Sequence, residues 1–273
     1  MASYWLLYLF IYLFSCHIAQ TVQEEIEYEC VDIYKQPAFQ HPLMKDHQIQ
    51  MRPSVEFQAM VSTEPETSDL FTGESEERCP KGQVHTGLYR DDRPRLTTYG
   101  ISGRHPNGCY NALCRGGYVQ LHKTIYPGMV YNKVSTLGKR QSTAHLLVGQ
   151  DSRTKNWLLM TRSTLIGYWP YQIYSMQGAS QVLFGGYTGG LAGATSPPMG
   201  AGTFPKEVGY RNKFSCFMKQ LKCFEDKRLV DIDSNEFEEY VDSPKCYDVW
   251  FRKFEIGQGE MLTFGGPGGE CGI

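Results

Sequence analysis

Short apolar runs separated by turn residues are the dominant pattern along this chain. Aromatic and β-branched residues cluster at His145–Val148, Trp157–Met160 and Tyr247–Phe251, and Gly, Pro or Asn recur between the runs. Within Tyr247–Arg252 the side chains alternate between two unlike sets, as they do along a strand whose two faces differ. This spacing predicts an all-β fold of antiparallel strands, in a sandwich or barrel, and argues against an α/β fold.

Helical spacing is rare in the chain. One short helix is predicted directly after Pro170, because Ile173, Met176 and Ala179 would share one side of it. Residues 53–77 are rich in Ser, Thr, Glu and Pro and poor in apolar side chains, which is typical of a mobile linker or loop.

The N-terminal residues form the most apolar stretch of the chain. Trp, Leu, Tyr, Phe and Ile fill Tyr4–Phe14, and small or polar residues follow up to Gln20. This order is typical of a secretory signal peptide over residues 1–19, although no Lys or Arg precedes the apolar run. A membrane anchor is the alternative, but the run is shorter than the roughly 20 residues that a bilayer requires. We therefore expect a secreted, extracellular protein with no stable membrane span.

The number of cysteines agrees with export. The chain has 9 Cys, and loss of Cys16 with the signal peptide would leave an even set, which predicts disulfides in an oxidising compartment. Cys216 and Cys223 could close a small loop within residues 212–239, where mixed charges are typical of a solvated surface. Zinc is the alternative, but no Cys-x-x-Cys pair occurs and the His residues show no ligand spacing, so neither a metal nor another cofactor is expected.

Composition excludes several function classes. A formal net charge of -2 and a pI near 6.4 provide no basic field that would hold nucleic acid. Glycines concentrate between Gly178 and Gly209, but no Lys-Ser or Lys-Thr follows them, so turns are favoured over a phosphate-binding loop. The His residues lie in no recognisable nucleophile motif, which argues against a serine or cysteine hydrolase.

Five motifs in the second half of the chain are distinctive. They are Asn156–Met160, Ile166–Pro170, Phe184–Tyr187, Pro197–Pro205 and Phe264–Gly269. In the first half, Cys30–Leu43 is a second distinctive block. Together these motifs resemble the neprosin family, secreted plant glutamic endopeptidases that cut beside proline. The resemblance covers nearly the whole chain after the predicted signal peptide.

The resemblance implies a division of the chain into two parts. Residues 20–83 are similar to the activation peptide of the family, which makes them a small N-terminal propeptide unit. Residues 84–273 are similar to the catalytic domain, for which we expect a jelly-roll-like antiparallel β-sandwich. The resemblance also implies three disulfides, and spacing alone would not select them. These pairs are Cys30–Cys79, Cys109–Cys114 and Cys246–Cys271.

The resemblance further implies a catalytic pair of glutamates, of which one activates a water and the other supplies a proton. The second belongs to a family motif Trp-Gly-Gly-Glu, and Tyr187 occupies its position here. A phenol with an ordinary pKa near 10 is a poor replacement for that base. The first lies upstream of a landmark similar to Leu88–Asp91, but only Gln83–Gly87 precede it after the activation peptide. We therefore expect an N-terminally shortened catalytic domain that lacks both glutamates.

Other candidate residues flank these motifs. Glu207, Glu260 and Glu270 are carboxylates near the glycine-rich motifs, and we expect them to be exposed turn residues. Tyr168 and Trp169 have two interpretations, either core residues of the sheet or the lining of a substrate cleft whose aromatic faces would hold proline.

The sequence thus predicts a secreted neprosin-like protein whose catalysis is impaired. One alternative is an active proline-directed endopeptidase that uses other carboxylates. Another is a cell-wall or carbohydrate-binding module that uses the aromatic residues. The expected partner is a protein or peptide substrate, with a cell-wall glycan as the alternative partner.

Overall fold

The computed structural model describes most of the chain after residue 28. The described residues are 29–62, 83–86, 94–131, 133–188, 194–209, 212–253 and 260–271. The predicted signal peptide and Cys79 lie outside these ranges.

Within the described ranges the chain is built from short strands with few helices. In chain order the elements are β1 (Glu29–Asp32), α1 (Val55–Val61), β2 (Gln83–Thr86), β3 (Tyr99–Ser102), β4 (His105–Tyr110), β5 (Val119–Gln120), β6 (Leu147–Gln150), β7 (Trp157–Thr161), β8 (Thr164–Trp169), α2 (Pro205–Val208), β9 (Cys216–Lys219), β10 (Lys222–Glu225), β11 (Arg228–Asp231), β12 (Asp248–Lys253) and β13 (Glu260–Gly265). Single-turn 3-10 helices lie at Pro37–Gln40, Pro42–Met44, Asn212–Phe214 and Ser234–Glu236.

Every pairing between these strands is antiparallel, which confirms the predicted fold class. The strands form a four-stranded sheet in the order β5-β8-β7-β6, a three-stranded sheet in the order β12-β13-β9, and the two-stranded pairs β1-β2, β3-β4 and β10-β11. No sheet closes into a barrel among the described strands. The jelly-roll-like sandwich stays a prediction.

The four-stranded sheet is buried on both faces. Because side chains alternate along a strand, Leu158 and Met160 of β7 point to one face and Leu159 points to the other. The first face belongs to a core cluster with Tyr168 and Leu147, and the second belongs to a separate cluster. Burial on both faces explains why Trp157–Met160 is a continuous apolar run rather than an alternating one.

The N-terminal segment covers the first face of this sheet. Ala38, Met44 and Phe57 are buried in the same cluster as Leu158. Helix α1 begins after Ser54, whose side chain accepts a hydrogen bond from the Phe57 amide at 3.2 Å. The prediction of a linker was therefore wrong for residues 55–61, because a helix of two turns with one buried side chain leaves no periodic signal in a polar stretch.

The C-terminal part is organised around β13, which is buried at all positions and lies between β12 and β9. Leu262 and Phe264 of this strand pack with Leu221 in a third cluster. Residues 212–239 therefore include three strands and a buried leucine rather than a solvated surface alone. In the β10-β11 hairpin, Phe224 reaches the ring of Phe57 at a centroid distance of 5.7 Å, which links this part to the N-terminal segment.

The predicted helix after Pro170 does not form. Both the Ile173 and Tyr174 amides donate to the Pro170 carbonyl, so the chain makes one turn and then continues without regular structure. Ile173 is buried, but Met176 is 60% exposed. The apparent helical stripe was a coincidence of spacing, because only its first member contacts the core.

The structure contains disulfides between Cys109 and Cys114 and between Cys246 and Cys271. These are two of the three pairs that the family resemblance implies. Cys30 is also disulfide-bonded, whereas its expected partner lies outside the described residues. Among the described residues, no helix combines the length and the apolar character needed to cross a bilayer.

Cys216 and Cys223 carry free thiols, so they do not close the small loop that their spacing suggested. Cys216 pairs with Phe264 in the three-stranded sheet, and Cys223 pairs with Val230 in the β10-β11 hairpin. Burial raises the pKa of both thiols. At Cys216 a hydrogen bond from the Phe217 backbone partly opposes the rise in pKa, and at Cys223 the charge of Glu225 increases it further.

We expect truncation of Leu158 to destabilise the fold because it opens a cavity between the sheet and the N-terminal segment. Leu158→Ala should lower the free energy of unfolding by about 2–5 kcal/mol. Val148 on the edge strand β6 is 50% exposed, and Val148→Ala should change stability by no more than about 0.5 kcal/mol. Urea unfolding of both variants provides the measurement, and equal losses would contradict this account of the core.

Candidate functional site

Two of the glycine-rich motifs lie against each other at the end of β13. Ser196 pairs with Gly269, and Met199 pairs with Gly266, as isolated antiparallel bridges. The Tyr247 hydroxyl donates to the Pro197 carbonyl at 2.7 Å. The two motifs, which are far apart in sequence, therefore form one structural unit.

Glycine is required at Gly268 in this unit. Its φ of 70° lies in the left-handed region, and a Cβ there would clash with the Ser196 and Pro197 carbonyl oxygens. The close approach of the two backbones thus explains why this motif contains glycine. The Cys246–Cys271 disulfide lies at the same end of the strand pair.

The Phe184–Tyr187 motif lies beside the same unit. Phe184 packs against the third cluster, and a Cβ on Gly186 would contact Met199 Sδ at 2.5 Å and the Phe264 ring at 2.7 Å. Tyr187 follows at once and is 94% exposed. Position 187, which the family resemblance predicts to correspond to the second glutamate, is therefore anchored by its neighbours, whereas its side chain extends into solvent.

The three carboxylates near these motifs differ in their surroundings. Glu207 on α2 and Glu270 after β13 are exposed, as predicted. Glu260 is not, because it begins β13 and is buried, with no hydrogen bond from a described residue to its Oε2. The prediction of an exposed turn was wrong here since the strand starts earlier than the local sequence indicates.

Tyr168 and Trp169 are neighbours on β8 and point in different directions. Tyr168 is fully buried in the first cluster, beneath the N-terminal segment. Trp169 is half-buried and meets the Tyr118 ring edge-on at a centroid distance of 5.0 Å. A Cβ on Gly100 would lie 2.9 Å from the Trp169 indole nitrogen, so β3 approaches this side chain closely. Tyr168 could contact a substrate only if the N-terminal segment moved away.

The hydroxyl of Tyr168 makes the central polar contact with that segment. His47 Nε2 lies 2.7 Å from it, and the Gln50 amide donates to it at 3.2 Å. Because the Gln50 amide already occupies an oxygen lone pair, the hydroxyl hydrogen is available for Nε2, which favours a neutral imidazole. Burial lowers the pKa of His47, and the Gln172 side chain partly opposes that shift. Burial also raises the pKa of Tyr168, which keeps the phenol protonated.

Gln50 and Asp151 form a second polar contact nearby. Asp151 Oδ2 accepts hydrogen bonds of 2.8 Å from the Gln50 side chain and from the Ser54 amide. Gln50 Oε1 accepts from the side chains of Thr154 and Asn156. Burial alone would raise the pKa of the Asp151 carboxyl, but hydrogen bonds from Ser54 and the Arg153 amide lower it below the ordinary value.

Sequence reasoning did not identify His47, Gln50 or Asp151. Gln50 and Asp151 are about a hundred residues apart in the chain, and each is an ordinary polar residue in its local context. The one available signal was that a polar residue before a tight turn often binds nearby backbone amides, as Asp151 does with Arg153.

No metal centre is apparent in the part of the chain that the structure describes, since no three His, Cys, Asp or Glu side chains lie together in a group suited to an ion.

Fold and site together define a class of protein: a disulfide-bonded antiparallel β-protein whose N-terminal segment packs into the core and whose glycine-rich motifs meet at one buried strand. Comparison with known families is more specific. The family model described as Neprosin matches residues 82–267, and the model described as Neprosin activation peptide matches residues 20–91. The first match covers more than half of the chain, so the chain belongs to the neprosin family.

Family membership sets the broad chemistry. The neprosin family is a family of prolyl endopeptidases, which suggests a protein or peptide as the substrate. A glycan partner has no support from the comparisons. The two matches overlap at residues 82–91, so no stretch of chain is left between the activation peptide and the domain that follows.

We expect acidification to destabilise the protein through His47. Its folded pKa lies below the ordinary value of 6.5, so between these values the unfolded state binds more protons than the folded state. The stabilising effect is therefore complete above about pH 6.5 and is lost as the pH falls through the folded pKa. The melting temperature should fall between about pH 7.5 and pH 5, and should fall less in His47→Gln, which cannot titrate.

His122 provides the control for this measurement. Burial and the charge of Lys123 lower its pKa too, but its ring accepts from the Thr124 and Ile125 amides within its own loop. Its contribution should remain in the His47→Gln variant. If the variant and the parent show the same dependence on pH, His47 does not contribute as described.

Proposed function

We propose that this chain is a secreted neprosin-family protein that has lost glutamic-peptidase activity and retains polypeptide as its ligand. Tyr187 is the observation on which the proposal rests. A glutamic peptidase needs a carboxylate that can be ionised while a second one holds a proton. At position 187 the chain presents a phenol that is almost completely exposed, and a phenol is not a carboxylate that could form one half of such a pair.

The other half of the pair supports the same proposal. The landmark at Leu88–Asp91 lies within the activation-peptide match over residues 20–91, so the segment that would precede the landmark in the family is missing here. The first glutamate of the family would belong to that missing segment. Buried Glu260 is not proposed to replace it, because in the strand register Glu260 lies opposite Lys253 of β12, a basic residue rather than a second acid. We infer that neither member of the catalytic pair is present.

The proposed ligand site is the side of β8 that carries Trp169. This side chain is half-buried, and its ring packs against Tyr118, so its orientation is fixed before any ligand binds. A fixed aromatic face can pack against the apolar ring of proline. Tyr168 is assigned a supporting role beneath the site, because it is covered by the N-terminal segment.

Secretion is the last element of the proposal. Disulfides at Cys109–Cys114 and Cys246–Cys271 fit an oxidising compartment. The apolar run Tyr4–Phe14 would direct export, with residues 20–83 as the activation-peptide unit and residues 84–273 as the shortened catalytic-domain unit.

The test is hydrolysis of proline-containing fluorogenic peptides from acid to neutral pH, by the parent protein and by Tyr187→Glu. We expect neither to turn over substrate, because one restored carboxylate lacks its partner and positioned acid–base groups contribute about 10²–10⁴-fold each. Tyr187→Phe is the matched control, since all three side chains at this exposed position should leave the fold unchanged. Near-ultraviolet circular dichroism should show the same fold for all three.

Binding of the same peptides is measured by fluorescence anisotropy. The proposal expects binding by the parent that Trp169→Ala weakens. Hydrolysis by the parent that disappears when an acidic residue is changed would overturn the loss of activity. Absence of both hydrolysis and binding in a folded protein would overturn the assignment of polypeptide as ligand.

A further inference from the structure

We propose that residues 33–57, which belong to the activation-peptide match, are a permanent part of the folded domain in this chain and cannot be released from it without unfolding. The surface they occupy is formed by the edge of β5, the buried face of the four-stranded sheet and the Asp151 loop. The inference concerns maturation and is independent of whether the protein hydrolyses or binds peptides.

The first contact is made by the side chain of Gln36 at the edge of the four-stranded sheet. β5 is an edge strand, and the side chain of Gln36 lies along it. Gln36 Oε1 accepts from the Gln120 amide at 2.8 Å, and Gln36 Nε2 donates to the Gln120 carbonyl at 2.9 Å. A side-chain amide offers the same donor and acceptor as a peptide group, so it satisfies both backbone groups of Gln120. Because Gln36 is fully buried, its departure would replace two buried hydrogen bonds with contacts to water.

The second contact is apolar. Ala38, Met44 and Phe57 are each at most 2% exposed, and they pack with residues of the sheet such as Leu158 and Tyr168. A peptide that merely covers a finished domain would bury its own side chains against a surface that is already complete. Here both sides of the contact are core residues, so removal of the segment would expose the interior of the sheet to water.

The third contact is the polar group around Gln50. Its side chain connects the segment to Asp151 and Asn156, and the Ser54 amide adds a further hydrogen bond to the Asp151 carboxylate. Without the segment, the carboxylate would lose two of its hydrogen bonds. Backbone, apolar and charged contacts therefore all depend on the same stretch of chain.

The three contacts distribute along the whole segment, from Gln36 at one end to Phe57 at the other. No part of it forms a separate folded unit, because its two 3-10 turns and α1 each bury one apolar side chain in the shared cluster. The segment and the sheet are therefore expected to fold and unfold together.

The main test cuts the full chain after the segment. A recognition sequence for a site-specific protease is inserted between residues 63 and 82, and Cys30→Ser removes any covalent link through that disulfide. After cleavage, we expect the N-terminal piece to co-elute with the remainder as one monomer-sized species with a single thermal transition. Forced separation should abolish the near-ultraviolet signal of the remainder, which would also support the proposal. A released piece beside a remainder that stays monomeric and keeps that signal would overturn it.

Two point variants in the uncut wild-type background make the test independent of the insertion. Phe57 is 1% exposed and Val55, on the same helix, is 74% exposed. Phe57→Ala should lower the single melting transition of the whole protein by at least about 6 °C, and Val55→Ala should shift it by no more than about 2 °C. A Phe57→Ala protein that melts at the parent temperature would show that the segment is detachable.

Discussion

The structure depends on the exclusion of water from one face of the four-stranded sheet. That face is lined by Leu158, Met160 and Tyr168, and strands this apolar cannot face water. The covering comes from a segment that belongs to the activation-peptide match, through side chains of Ala38, Met44 and Phe57. Tyr168 is therefore a core residue because the N-terminal segment covers it. Its position on β8 alone would not bury it. The matched family model describes this segment as an activation peptide, whereas in this chain the segment packs as part of the hydrophobic core.

The N-terminal segment also meets the C-terminal half of the chain. Phe224 of the β10-β11 hairpin contacts the ring of Phe57, so the C-terminal half contributes to the same interior as the N-terminal segment. The glycine-rich motifs, in contrast, assemble around β13 and leave Tyr187 in solvent. The candidate aromatic residues and the candidate catalytic position thus belong to different clusters, with Trp169 against Tyr118 and Phe184 against Phe264 and its neighbours.

Strand positions could be predicted from the sequence where local signals are strong. The runs at Trp157–Met160 and Tyr247–Phe251 lie within β7 and β12, because β-branched and aromatic residues there also satisfy a buried sheet. Helix α1 could not be predicted, since its stability comes from one side chain that enters a distant core. The same limit applies to Gln36, whose partner Gln120 is 84 positions away. The sequence identified Tyr168 and Trp169 as aromatic candidates, but the choice between core and cleft depends on which segment covers them.

The two free thiols have a consequence for the disulfides of the same chain. A disulfide exchanges only when a thiolate attacks it, and the rate depends on the fraction of thiol that is ionised. Burial keeps Cys216 and Cys223 protonated more strongly than an ordinary cysteine, and the carboxylate of Glu225 adds to this at Cys223. At neutral pH a smaller fraction of each thiol is therefore ionised and able to attack a disulfide such as Cys246–Cys271. The low ionised fraction of both thiols is thus a kinetic protection for the disulfides of this chain, and it requires no bonding partner for either thiol.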